Sequence, residues 1–138
     1  MIRYRALNAY KYGLLETYSA YVGILPFGPS IYTDYLELTR EGVLKIRAGY
    51  HWDGPSGPAI DSKGFMRGSL VHDALYQMVR RGLLPKDRRL AIDALLKRYC
   101  IEDGMHPIRA AWVYASVRSF GWLACRPRDD RETVLEAP

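Results

Sequence analysis

The chain has 138 residues, 49% of them hydrophobic and 25% charged, which is the composition of one globular domain with a core of its own. Two cysteines are too few for a disulfide framework, and no apolar run is as long as a membrane span. The net charge of +5 is modest and the basic residues are scattered among acids, so the composition argues against a nucleic-acid-binding protein.

Residues 1–48 are predicted to form β-strands. Most of the 11 tyrosines lie in this part of the chain, and strands favour tyrosine. Segments 10–14 and 19–24 have the pattern of short strands. Segments 35–39 and 43–48 flank Arg40-Glu41-Gly42, which predicts a β-hairpin with a glycine in its turn.

From Phe65 onward the hydrophobic period changes to about 3.6 residues, which predicts helices. The first should end at Gly82, and the second should follow Pro85 with Asp87 as its N-terminal cap and Gly104 at its end. Its predicted apolar stripe consists of Leu90, Asp93, Leu96 and Cys100.

The third predicted helix begins at Pro107, a favoured first position, and Gly121 is expected to interrupt it. Strands followed by about three helices indicate a single α+β domain, residues 1–125. Residues 126–138 are predicted to be a charged, loose tail. The first residues lack the apolar segment of a signal peptide, and the two cysteines are expected to be buried thiols in a reducing compartment.

Basic residues are densest at Arg80-Arg81 and at Lys86, Arg88 and Arg89. We interpret this group as a solvated helix face, with contact to nucleic acid or an anionic membrane as the alternative.

The candidate site follows residues 49–64, which contain four glycines and two prolines and so predict a shaped loop. The next helix carries His72, with Tyr76 one turn further on. Asp93 is predicted on an apolar stripe, where a carboxylate needs a partner. The short connection between the two helices predicts antiparallel packing, which would let Asp93 contact both His72 and Tyr76. The cluster is either a catalytic dyad with a supporting tyrosine or a buried structural network.

Asp73 adjoins His72 but points about 100° away around the helix. It is either a solvated acid or part of an oxygen cage with backbone carbonyls of residues 52–57 and the Asp53 carboxylate. Calcium prefers such ligands, so Ca²⁺ is the candidate cofactor. The alternative for Asp53 is a turn-forming residue before Gly54.

Four motifs occur in order along the chain: Trp-Asp-Gly-Pro-Ser-Gly-Pro at 52–58, Leu-Val-His-Asp-Ala-Leu-Tyr at 70–76, Arg-Arg-Leu-Ala-Ile-Asp at 88–93 and Val-Arg-Ser-Phe-Gly at 117–121. Together they resemble a phage and prophage family, domain-of-unknown-function family 1353, although Ile92 stands where the family usually has alanine. The resemblance covers roughly residues 43–122. It implies a phage-borne or bacterial protein of the host cytoplasm or the virion, with other phage proteins as partners, and implies no established activity.

The second motif is also similar to that of secretory phospholipases of the A2 type. In those enzymes a glycine-rich calcium loop precedes a helix bearing His-Asp-x-x-Tyr, and the following antiparallel helix carries another aspartate. The similarity implies that His72 is a general base, Asp93 its partner, Tyr76 a support and Asp73 a calcium ligand, acting on a lipid or another phosphoester. This chain lacks the disulfides of those enzymes, has Pro55 in the loop, and has a sheet in its first half.

Two functions follow from these patterns. One is a small hydrolase in which His72 activates water, Asp93 orients His72, and a cation near Asp73 and Asp53 polarises the substrate. The other is a non-enzymatic structural or interaction protein of a phage, in which the same side chains form a buried network. An accessible imidazole nitrogen on His72 would favour the enzyme.

Overall fold

Antiparallel strands precede three helices in the computed structural model, which describes residues 2–6, 12–52 and 63–126 and confirms the predicted single α+β domain. The strands are β1 (Tyr4–Ala6), β2 (Tyr12–Leu14), β3 (Tyr18–Tyr21), β4 (Ile31–Tyr32), β5 (Leu36–Leu38), β6 (Val43–Ile46) and β7 (His51–Trp52). The helices are α1 (Lys63–Arg80), α2 (Arg89–Glu102) and α3 (Pro107–Ala124), with a 3₁₀ turn at Lys86–Arg88 before α2.

The strands form two sheets, one with the order β1-β2-β7 and one with the order β3-β6-β5-β4. The predicted hairpin is β5 and β6, in which Leu38 is opposite Leu44. Gly42 in its turn has a φ of 94°, a conformation that favours glycine. Alternate side chains, including Leu36 and Ile46, are buried, so one face of this sheet packs into the core.

Two buried hydrogen bonds hold α1 against the chain segment that contains β7. The indole Nε1 of Trp52 donates to Oγ of Ser69 at 3.1 Å, and the Tyr50 hydroxyl donates to Oε1 of Gln77 at 3.0 Å. The two bonds are two turns of α1 apart and satisfy polar groups that would be costly to bury alone. They therefore fix the position of α1 relative to the strands.

Helix α1 is buried over most of its length and packs against α2, which in turn packs against α3. Helices α1 and α2 approach closely at Gly68, where a Cβ would lie 2.9 Å from Cδ1 of Leu96 and would force that side chain to shift. Gly82 has a φ of 77° just after α1, as predicted for the residue that ends this helix. None of the helices in residues 63–126 is both long and apolar enough to cross a membrane.

Three details of the predicted helices are wrong. Asp87 lies in the 3₁₀ turn and does not cap α2, whose N-cap is Arg88, without a side-chain hydrogen bond. Leu90 is 56% exposed, because the buried side of α2 is formed by Ile92, Asp93 and residues further along the helix. Gly121 does not interrupt α3, which continues to Ala124.

The predicted burial of the two cysteines as thiols is confirmed, since Cys100 and Cys125 are free and buried. Burial raises the pKa of each thiol to about 11, so both stay protonated and unreactive at neutral pH. Other predictions concern residues outside the described ranges: the start of the 10–14 strand, the loop at 53–62 with Asp53, and the tail at 127–138.

Candidate functional site

The site is built around Asp93, a fully buried carboxylate in the first half of α2. Its Oδ1 lies 2.8 Å from Nε2 of His72 and accepts a 2.5 Å hydrogen bond from the Tyr76 hydroxyl. Its Oδ2 accepts a 2.8 Å bond from Nη1 of Arg118, and Nη2 of Arg89 lies 3.8 Å away. The predicted contact between His72 and Asp93 is therefore confirmed, and a buried charge is paired as its burial requires.

His72 and Tyr76 reach the same oxygen because they are one turn apart on α1. Their rings are in contact, with centroids 3.9 Å apart and planes tilted by 37° to each other. Both are buried, with exposed fractions of 8% and 2%. The predicted pairing of the tyrosine hydroxyl with Asp93 is thus also present.

Arg89 connects the network to α3. Its Nε donates to the Tyr76 hydroxyl at 3.1 Å, and its Nη2 donates to the carbonyls of Val117 and Arg118 at 2.9 and 3.1 Å. The side chain is 16% exposed, so the interpretation of this basic residue as part of a solvated face is wrong. A planar guanidinium can contact three acceptors at once, which suits Arg89 to joining α1, α2 and α3.

Gly121 provides the space in which Tyr76 lies. A Cβ on Gly121 would be 2.5 Å from the Tyr76 hydroxyl oxygen, a distance that real Cβ atoms essentially never show, and 3.1 Å from Cε2 of the ring. Glycine is costly inside a helix, so its presence in α3 has a packing reason. The absence of a side chain here lets α3 approach the hydroxyl that bonds Asp93.

The hydrogen bonds decide the charge state of each group. Burial would raise the pKa of Asp93, but the bonds from its three donors outweigh burial and hold the pKa below the ordinary value of 3.8. Burial would lower the pKa of His72, but the interactions with Asp73 and Asp93 outweigh it and hold the pKa above 6.5. Burial and Asp93 both raise the pKa of Tyr76, which therefore remains a donor.

The two nitrogens of His72 have different surroundings. Nε2 faces the buried Asp93, whereas Nδ1 lies 4.0 Å from Oδ1 of Asp73, whose side chain is 34% exposed. Nδ1 therefore faces a partly exposed side chain, while the His72 side chain itself is only 9% exposed. When Nε2 donates its proton to Asp93, the neutral ring presents an unprotonated Nδ1.

The calcium prediction rests partly on residues that the structure does not describe. Asp53 and most of the predicted cage, residues 53–57, lie outside the described ranges. Within residues 2–6, 12–52 and 63–126, no three His, Cys, Asp or Glu side chains are grouped as metal ligands. Asp73 alone would supply one carboxylate, so a calcium site here stays a prediction.

The sequence interpretation missed three members of the network: Arg89, Arg118 and Gly121. All three belong to the motifs that carry the family resemblance, at 88–93 and 117–121. A signal existed for Arg89, because an arginine one turn before a predicted buried aspartate is placed to pair with it.

Comparison of the chain with protein-family models, with curated proteins and with solved structures gave no match. The resemblance to family 1353 therefore stays a prediction.

Proposed function

We propose that the protein is a small hydrolase of phage or prophage type in which His72 is the general base. The observation that supports this most is the orientation of the imidazole: a buried, ionised Asp93 holds Nε2, and Nδ1 is directed toward the half-exposed Asp73. General bases need this arrangement, since a carboxylate that fixes the tautomer also stabilises the imidazolium formed when Nδ1 takes a proton from water.

The remaining side chains position Asp93 and do not touch the substrate. Tyr76 and Arg118 donate to different oxygens of the carboxylate, so it cannot rotate away from His72. Asp93, Tyr76 and Arg118 are therefore positioning residues, and His72 alone does the proton transfer.

The proposed substrate class rests on the similarity of the motif at 70–76 to that of the phospholipases. A calcium ion held by Asp73, as the similarity to the phospholipases implies, and by Asp53, as the loop sequence predicts, would polarise the carbonyl or phosphoryl oxygen of a lipid or another phosphoester. Nδ1 of His72 would take a proton from the water that attacks the ester and pass it to the departing alcohol as the ester bond breaks. The proposal places the protein with other phage components in the host cytoplasm or in the virion.

A non-enzymatic role is the second candidate, and one observation favours it. Asp93 is completely buried and its charge is shared by three hydrogen-bond donors and Arg89, so the network holds α1, α2 and α3 together whether or not it has a chemical function. A phage structural or interaction protein would need this network for stability alone.

The test combines activity with the reactivity of the imidazole. Hydrolysis of phospholipid vesicles and of a chromogenic ester is measured with calcium for wild type and His72→Gln. The control is His106→Asn, which changes an exposed histidine and keeps an acceptor for the Ile108 amide that His106 caps. We expect His72→Gln alone to lose activity by about 100-fold or more, and wild-type activity to rise with pH as His72 deprotonates.

An α-bromoketone tests the accessibility of Nδ1 directly, because it alkylates an unprotonated imidazole nitrogen that it can reach. If His72 is the general base, mass spectrometry should find the label on His72 of the folded protein. Activity that is unchanged in His72→Gln would overturn the assignment of the base. Absence of both hydrolysis and labelling would reject the enzyme and leave the structural role.

A further inference from the structure

Helix α3 has an uncharged outer face that no described residue covers. Eight of its exposed positions form two adjacent rows of the helix, and Trp122 beside them is 51% exposed; the eight are Ile108, Ala111, Trp112, Ala115, Ser116, Ser119, Phe120 and Leu123. Trp112 is 72% exposed and Phe120 is 69% exposed. Isolated exposed apolar residues are normal, but a contiguous face of this kind marks an interaction surface.

The outer face consists of two parallel rows with different side-chain sizes. Residues four apart form each row, as in the ridges of any helix. One row is mostly large: Ile108, Trp112, Ser116 and Phe120. The other is mostly small: Ala111, Ala115, Ser119 and Leu123. The large side chains form a ridge, and the small ones beside them form a groove. In a second copy that runs antiparallel the two rows are exchanged, so the ridge of each copy can lie in the groove of the other.

We propose that α3 pairs antiparallel with α3 of a second copy of this chain, about a twofold axis between Ala115 and Ser116. In this register Trp112 lies opposite Ser119 of the second copy. Phe120 likewise lies opposite Ala111, and the two bulky aromatic side chains each meet a small residue. A twofold interface must be complementary to itself, and the two aromatic positions satisfy that requirement, while Ile108 lies opposite Leu123 as an apolar pair at each end.

The polar groups of the face also suit a twofold contact. None of the eight residues is charged, so the symmetry places no like charges opposite each other near the axis. The Ser116 hydroxyl already donates to the Trp112 carbonyl at 2.9 Å. It can therefore be covered by a second copy without losing its hydrogen bond.

The size of the face sets the strength of the dimer. Trp112 and Phe120 each contribute on the order of 100–180 Å² of exposed surface to this face. With Ile108 and Leu123 the face offers on the order of 500 Å² per copy, less than the roughly 800 Å² of a standard stable interface. The dimer should therefore be reversible, with a dissociation constant between about 1 µM and 1 mM.

Sedimentation equilibrium of the full chain over that concentration range measures the association. Phe120→Glu places two charges in the interface and should weaken dimerisation by about tenfold or more. The matched control is Phe27→Glu, the same change at a residue that is 84% exposed and lies outside α3. The control should dimerise like wild type.

A size exchange tests the register. Ala111→Phe should weaken the dimer by about tenfold, because two phenylalanines then compete for one space. The double variant Ala111→Phe/Phe120→Ala exchanges ridge and groove, and should recover wild-type association within about threefold. A double variant no better than Ala111→Phe would overturn the proposed pairing.

Two other results would also reject the proposal. One is a wild-type protein that stays monomeric up to about 1 mM. The other is equal weakening by Phe120→Glu and Phe27→Glu. In the first case, co-sedimentation of wild type but not Phe120→Glu with anionic phospholipid vesicles would reassign the face to a membrane surface, to which aromatic helix faces also bind.

Discussion

Replacement of Asp93 by asparagine tests the network most directly. Asparagine keeps the shape of the side chain, so the core remains filled. It removes the negative charge and places an amide NH₂ where one of the carboxylate oxygens now accepts hydrogen bonds. If the NH₂ group takes the position of Oδ2, it faces Nη1 of Arg118, and two donors then meet at a distance that is now 2.8 Å.

The magnitude follows from burial and the number of donors. Asp93 has no exposed surface and accepts from His72, Tyr76 and Arg118. Removing one partner of a buried ion pair costs about 3–5 kcal/mol, since the other charges remain buried without compensation. For a domain of this size that loss corresponds to a decrease in Tm of roughly 10–20 °C.

The matched control is Asp87→Asn, the same chemical change at a carboxylate that is 76% exposed. Asp87 lies 3.0 Å from Nη1 of its neighbour Arg88, which makes it a surface ion pair. Such pairs contribute about 0–1 kcal/mol. Urea denaturation followed by circular dichroism, at low salt and neutral pH, measures the free energy of unfolding of both variants and wild type.

The dependence of the free energy of unfolding on pH in the acid range gives a second measurement. Asp93 has a lowered folded-state pKa, so its contribution is complete above its ordinary pKa of 3.8 and is lost as the pH falls through the folded value. Asp93→Asn should lack this part of the acid dependence. A destabilisation by Asp93→Asn within about 1 kcal/mol of that by Asp87→Asn would refute the buried ionic network.

Three further predictions concern the same region. Gly121→Ala should destabilise the protein by about 1–3 kcal/mol in thermal melts, because the new Cβ meets the Tyr76 hydroxyl at 2.5 Å. At an open site the same change would stabilise the helix by about 1 kcal/mol, so a stabilised variant contradicts the contact. The pKa of His72 measured by NMR should lie above 6.5, and a pKa at or below 6.5 contradicts the paired imidazole. The stability that the charged imidazole contributes should be complete below pH 6.5 and be lost as the pH rises through the folded-state pKa. Millimolar calcium should raise the Tm of wild type but not of Asp73→Asn; no shift in wild type rejects the metal, and an equal shift in both places it elsewhere.

The sequence alone determined the order of strands and helices and two long-range contacts of Asp93. The change of period near residue 65, the glycine turn of the hairpin and Pro107 at the start of α3 are local signals, and the structure follows them. The contact of His72 with Asp93 was also predictable, because an aspartate on an apolar stripe must find a partner on the adjacent helix.

Tertiary structure decided what else surrounds Asp93. Arg118 reaches Asp93 from 25 residues away in the sequence, and nothing local distinguishes it from a surface arginine. The role of Gly121 likewise depends on where Tyr76 of another helix lies, so a residue that locally resembles a helix breaker is a packing residue. The exposure of the outer face of α3 also could not be predicted from the sequence. Its apolar residues predict a helix, but only the packing of α2 against one side decides which of them remain exposed.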